Sequence, residues 1–128
     1  MAQIEKLKPL DVTKIGEIKS VGVLIAKLEY TLSGSDTTYI LTYNNLKYNT
    51  TDIRSFKFKE TGGVLNAFYE YINNAISKNE KTDIVLGDEA MILRPQRTMG
   101  IKHCDIMLTG GDYFTLTKKN LDKLFNKK

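Results

Sequence analysis

YFTLTKKNLDKLF, residues 113–125, changes period in its middle. Up to Thr117 the apolar residues Phe114 and Leu116 alternate, as on a strand with one buried face. Beyond it Leu121, Leu124 and Phe125 recur at helical spacing. The stretch predicts a strand over 113–117 that runs directly into a helix over 118–127. Thr117 is the expected N-cap, because its hydroxyl can accept a hydrogen bond from a free amide of the first turn. Lys118 and Lys119 then fall at the first helical positions. The helix dipole is positive there, so cations are disfavoured by about 0.3–1 kcal/mol at low salt. A phosphate or carboxylate would relieve that repulsion. The alternative is a solvated lysine-rich tail whose cost is screened by salt.

The same order occurs earlier, in FKFKETGGVLNAFYEYI at 56–72. Phe56 and Phe58 are expected inward on a strand over 52–59, with Ser55, Lys57 and Lys59 outward. Leu65, Phe68, Ile72, Ala75 and Ile76 predict a helix over 62–78, with Thr61 as its N-cap. Upstream, Leu24, Ala26, Leu28, Tyr30 and Leu32 alternate, SGSD at 33–36 turns, and TTYILTY at 37–43 completes a long hairpin. NN at 44–45 is a second turn, with a short strand expected at 46–48. Downstream, DIVLG (83–87), AMILR (90–94) and KHCDIML (102–108) read as strands, and TGGD (109–112) as a turn. PQRTMG (95–100) reads as a loop, because Pro95 lacks a ladder donor and Gly100 allows a bend. Residues 1–16, with Pro9 and no sustained period, read as an extended arm or short helix.

The expected fold class is therefore α+β, with antiparallel sheets and two helices in a (ββββα)×2 pseudo-repeat. One domain spans 1–128, as an arm (1–17), a first half (18–80) and a second half (81–128). Residue identity between the halves is slight, so the repeat rests on the order of elements. Two sheet-then-helix passages without duplication account for that order equally well.

At 128 residues, 41% hydrophobic and 27% charged, the chain suits one globular domain with a real core. No apolar run approaches the roughly 18 residues needed to span a membrane, and the start does not read as a secretory signal. A cytoplasmic or virion-associated location, away from membranes, is expected. The single Cys104 excludes an internal disulfide framework. The net charge of +4 resides in KKNLDKLFNKK (118–128), where five lysines face Asp122, so the remainder is balanced.

Enzymatic signatures are scarce. His103 is the only histidine, so no histidine pair or His-based metal cluster can form. Cys104 follows it on a strand, and adjacent strand residues point to opposite faces, which separates this pair as nucleophile and base. Cys104 is expected buried and His103 on the surface. Asp83, Asp88, Glu89, Asp105 and Asp112 are assigned to turns and strand ends. TGG and TGGD are too short for phosphate loops. No catalytic residue, metal site or cofactor is expected. What remains is a set of cations with interleaved tyrosines. Lys57, Lys59, Arg94, Arg97, Lys102, Lys118 and Lys119 would take phosphates, and Tyr39, Tyr43 and Tyr113 would stack on bases, at about 1–3 kcal/mol per base.

Two passages of antiparallel strands, each ending in a helix, resemble the arrangement of Whirly and PUR-type single-stranded nucleic-acid-binding proteins. YFTLTKKNLDKLF is also similar to the end of the small coactivator-type ssDNA-binding domains. The resemblance covers residues 18–127 and is one of element order. The lysine-glycine-rich motif of Whirly proteins is absent, so no residue role is carried over. What the resemblance implies is a sheet surface that binds single strands, with helix-mediated homo-oligomers. The expected function is non-enzymatic binding of single-stranded nucleic acid. The alternative is a small structural, assembly or protein-interaction module with a protein partner, such as a phage-type virion component or an inhibitor of a host factor.

Overall fold

The computed structural model describes residues 11–127. Alternation in each half becomes a four-stranded antiparallel meander. The first sheet is β1 (Val12–Ser20), β2 (Val23–Ser33), β3 (Asp36–Asn44) and β4 (Ile53–Lys59), in that order. Helix α1 (Val64–Lys78) follows. The second sheet is β5 (Thr82–Leu86), β6 (Glu89–Thr98), β7 (Ile101–Leu108) and β8 (Tyr113–Thr117), and α2 (Lys118–Leu124) follows it. The α+β class and the (ββββα)×2 order are as the sequence indicates.

Each sheet has one buried face. Ile18, Ala26, Leu28, Tyr39, Leu41, Tyr43, Phe56 and Phe58 line the first, and Leu86, Met91, Leu93, Cys104, Ile106, Phe114 and Leu116 the second. The helices cross over: α1 packs on β6 and β7 of the second sheet, and α2 packs on β1 and β2 as well as on its own β8. Aromatic contacts join the parts, with Tyr43 stacked on Phe114 at 4.8 Å, and Phe68 edge-on to Phe58 at 5.9 Å and to Phe125 at 5.8 Å. One continuous core results. Full burial of each such side chain contributes about 1.5–3 kcal/mol, so each half depends on the helix of the other.

Four expectations are corrected. First, residues 12–16 are strand rather than arm; residues 1–10 of that arm lie outside the described residues. Bulges between Lys14 and Gly16 and between Ile18 and Lys19 break the two-residue period that would have revealed β1. Second, α1 is not capped by Thr61. Gly62 and Gly63 both have positive φ (54° and 77°), and Gly63 is the N-cap without a side-chain bond. Two left-handed residues move the helix start past the threonine, whose carbonyl accepts from Val64 N at 3.0 Å. Third, 95–98 belong to β6, and only Met99 and Gly100 form the turn. Pro95 is tolerated because β6 has outrun β5, whose pairing stops at Leu93. Fourth, no strand forms at 46–48. By contrast, Thr117 caps α2 as expected, accepting from Asn120 N at 3.2 Å.

Two hairpin tips carry apolar residues in the left-handed region. Val21 (φ 51°) and Gly22 (φ 77°) close β1 onto β2 between the paired Ser20 and Val23. The Val21 side chain is fully exposed. A two-residue turn with both φ positive favours Asn-Gly, while a branched β-carbon in this region costs about 1–2 kcal/mol. Val21→Asn is expected to stabilise the protein by about 1 kcal/mol and raise Tm by about 4 °C in a thermal melt.

Candidate functional site

The cations picked from sequence separate into three places. Lys57 and Lys59 stand on the outer face of β4, opposite buried Phe56 and Phe58. Arg94 stands on the outer face of β6, where its Nη2 is 3.7 Å from Asp105 Oδ2. Arg97, Lys102, Lys118 and Lys119 converge on the end of the molecule formed by the β6–β7 hairpin, the C-terminal half of α1 and the first turn of α2. Arg97 and Lys102 are cross-strand partners. They border a cleft of about 440 Å³ with Ile76 and Asn79. A neighbouring open cleft of about 640 Å³ shares Ile76 and Lys102 and is closed by Ile101, Asn73, Lys118 and Lys119. The buried Asn73 Oδ1 has no hydrogen-bond partner among the described residues.

Some of this charge has a structural reason. The negative end of the α1 dipole lies beside Arg97 and Lys102, where cations are favoured. Lys118 is engaged as well. Its Nζ is 3.0 Å from Asp122 Oδ1 and donates to the Tyr69 hydroxyl at 2.7 Å, and that hydroxyl donates to Asp122. The bond to Tyr69, reinforced by Asp122, raises the Lys118 pKa. Burial works to raise the Asp122 pKa, but the hydrogen bonds from Tyr69 and Lys118 outweigh it and leave the carboxyl lowered. The repulsion expected for Lys118 at a helix start is thus answered by Asp122, four residues along the same helix. Arg97, Lys102 and Lys119 form no salt bridge among the described residues, and neither do Lys57 and Lys59.

The tyrosines do not meet these cations. Tyr39 and Tyr43 point into the core, at 9% and 3% exposure, and offer no ring face to a base. Burial, with the Asp112 charge adding to it, pushes the Tyr43 phenol up to about 12. Their stacking role is corrected: TTYILTY has an apolar, aromatic or β-branched residue at every position, so its inward parity is not legible. Tyr113 is half-buried on the outer face of the second sheet, paired with Met107 and away from the cleft.

His103 and Cys104 do face opposite ways. Cys104 is fully buried, and desolvation pushes its thiol up to about 12, which removes it as a nucleophile at neutral pH. His103 is more enclosed than expected. Its side chain is 14% exposed, with Nε2 3.1 Å from Thr98 Oγ1 and Nδ1 3.9 Å from Asp105 Oδ1. Asp105 is itself buried mid-strand rather than at a turn, and accepts from Thr115 Oγ1 at 2.8 Å.

Sequence reading missed the polar joint between the halves. Asn45, 1% exposed, donates through Nδ2 to Asp52 and to Asp112, both at 3.0 Å. Its Oδ1 accepts from the amides of Lys47 and Tyr113, both at 3.1 Å. Arg54 completes the joint, at 3.0 Å from Asp52 and 3.6 Å from Asp112. The hydrogen bond from Asn45, seconded by Arg54, holds the Asp52 carboxyl below its usual range.

No family model, curated protein or solved structure matches this chain. Among the described residues no helix is long and apolar enough to cross a membrane, and no group of three or more His, Cys, Asp or Glu could hold a metal ion.

Proposed function

We propose that this protein is a non-enzymatic binder of single-stranded nucleic acid, and that the strand runs through the basic cleft between the β6–β7 hairpin and α2. The observation that carries the reading is the convergence of Arg97, Lys102 and Lys119 on two adjoining clefts that share Ile76 and Lys102, with no carboxylate neutralising them among the described residues. Cations without partners attract a polyanion and gain from counterion release, and an apolar floor accepts base faces. The (ββββα)×2 order supports the reading, being the feature shared with Whirly and PUR-type proteins. Lys57 and Lys59 on β4 belong to a separate surface and would extend the path of a longer strand.

The test is fluorescence anisotropy with a labelled oligonucleotide as salt is raised. Binding is expected to weaken steeply with salt. Removing three phosphate contacts in Arg97→Gln/Lys102→Gln/Lys119→Gln is expected to lower the log–log salt slope by about 2. Absence of any shift with micromolar protein at low salt rejects the function.

A second reading, a structural or protein-interaction module, is favoured by one observation. Val85, 73% exposed, and Ile92, 36% exposed, lie on the outer face of the second sheet beside the open edge of β5. A defined oligomer in size-exclusion with light scattering, without oligonucleotide affinity, selects this reading.

A further inference from the structure

The β6–β7 hairpin ends in a turn whose chemistry opposes its conformation. Thr98 pairs with Ile101, and between them Met99 and Gly100 have φ of 52° and 83°. Asn, Asp or Gly is the residue that such a first position prefers. Met99 gains nothing by packing, because it is 97% exposed, and Ile101, on the far side of Gly100, is 60% exposed. Val21 shares this strain and exposure, but the cation behind it, Lys19, is paired with Glu17. Arg97 and Lys102 behind Met99 form no salt bridge among the described residues, which marks this tip for a contact with an anionic partner. Directly behind this tip stand Arg97 and Lys102, and across the cleft from Ile101 stands Lys119. Asp105, the acid nearest the tip on these two strands, is engaged by Arg94 and Thr115.

We propose that Met99 and Ile101 form an apolar wedge that packs against unpaired bases, while Arg97, Lys102 and Lys119 hold the flanking phosphates. This rests on the nucleic-acid reading above and adds what gives it a preference for single strands. Apolar side chains of this kind lodge against bases once stacking is broken, and an unpaired strand has already met that cost. The placement of the cations favours a strand over a lipid surface. They line two adjoining clefts leading back from the tip towards α1 and α2 rather than forming a collar at one level around it.

The test uses the double substitution Met99→Asn/Ile101→Thr, which improves the turn and keeps a strand-forming residue, so folding is retained and is verified by circular dichroism. Anisotropy is measured with a labelled thymidine oligonucleotide of about 20 nucleotides, long enough to exceed one site, and with a duplex of the same length. The expected result is a loss of about tenfold in single-strand affinity, equivalent to about 1.4 kcal/mol, with duplex affinity and salt slope unchanged. If the unaltered protein binds the oligonucleotide but the variant keeps its preference for single strands, the wedge is overturned and the binding function stands. If the unaltered protein binds neither nucleic acid, both fall. If the substitutions abolish binding to phosphatidylserine vesicles and leave oligonucleotide binding intact, the tip is a membrane contact and the wedge is overturned.

Discussion

Asn45→Leu is expected to cost about 4 kcal/mol of folding stability, read as a large fall in the urea midpoint with an unchanged m-value. Leucine fills a similar volume, so the loss is not a cavity effect. It is the removal of four hydrogen bonds in one place. The amides of Lys47 and Tyr113 lose their acceptor, and a buried donor left unpaired costs about 1–3 kcal/mol. Asp52 and Asp112 lose the buried donor that lies between them and are left with Arg54 alone to offset their mutual repulsion. Asn45→Asp separates shape from charge. It keeps both acceptor functions but sets a third carboxylate against the other two, which raises the pKa of the introduced group in the folded state. Its penalty is therefore full at neutral pH and shrinks as pH falls through that raised value. The unaltered protein behaves in the opposite sense. The Asp52 pKa is depressed, so its contribution is present above the unfolded value of about 3.9 and is lost as pH falls through the folded one. Urea titrations at neutral and mildly acid pH should show the two proteins converging. Parallel curves would remove the joint's electrostatic account.

Where one face of a strand is buried and the other wet, the sequence reads directly. Phe56 and Phe58 against Lys57 and Lys59 is the plainest case, and the helical stripe of Leu121, Leu124 and Phe125 is another. Three kinds of information were not local. A bulge shifts parity without leaving a residue signature, so the first part of β1 reads as an arm. In TTYILTY (37–43) every residue suits a strand, so nothing in it distinguishes the inward parity of Tyr39 and Tyr43. Two of the four Asn45 partners, Asp112 and Tyr113, lie 67 and 68 residues away, and an Asn-Asn pair reads as a turn wherever it stands. The candidate site was half legible for the same reason. Composition selects the cations, but only the crossing of α1 and α2 determines that Arg97, Lys102 and Lys119 meet at two adjoining clefts and that Lys57 and Lys59 do not. Lys118 shows the limit of dipole reasoning. It stands at the start of α2, as the change of period indicates, but Asp122 and Tyr69 offset the repulsion expected there.

Gly16→Ala is expected to be the most damaging of single-methyl changes. Gly16 lies in β1 paired with Leu28, at a bulge, and the C-terminal end of α2 rests directly on it. A Cβ there would sit 2.6 Å from the carbonyl carbon of Leu124 and closer still to the carbonyl oxygens of Lys123 and Leu124. These are backbone atoms, so no rotamer change can move them aside; the helix itself must lift. Lifting it draws Leu121, Leu124 and Phe125 out of a core in which all three are buried. Overpacking of this kind costs about 3 kcal/mol, which corresponds to a fall in Tm of roughly 12 °C for a chain of this size. Gly22→Ala provides the control for conformation against space. Gly22 has φ of 77° and open surroundings, so alanine there meets only the backbone penalty of about 1–2 kcal/mol. Hydrogen exchange distinguishes the two mechanisms. Gly16→Ala should deprotect amides of α2 and the adjoining part of β1 selectively, whereas Gly22→Ala should loosen only the β1–β2 hairpin tip. Equal and uniform loss of protection in both variants would show that α2 does not rest on Gly16 in solution.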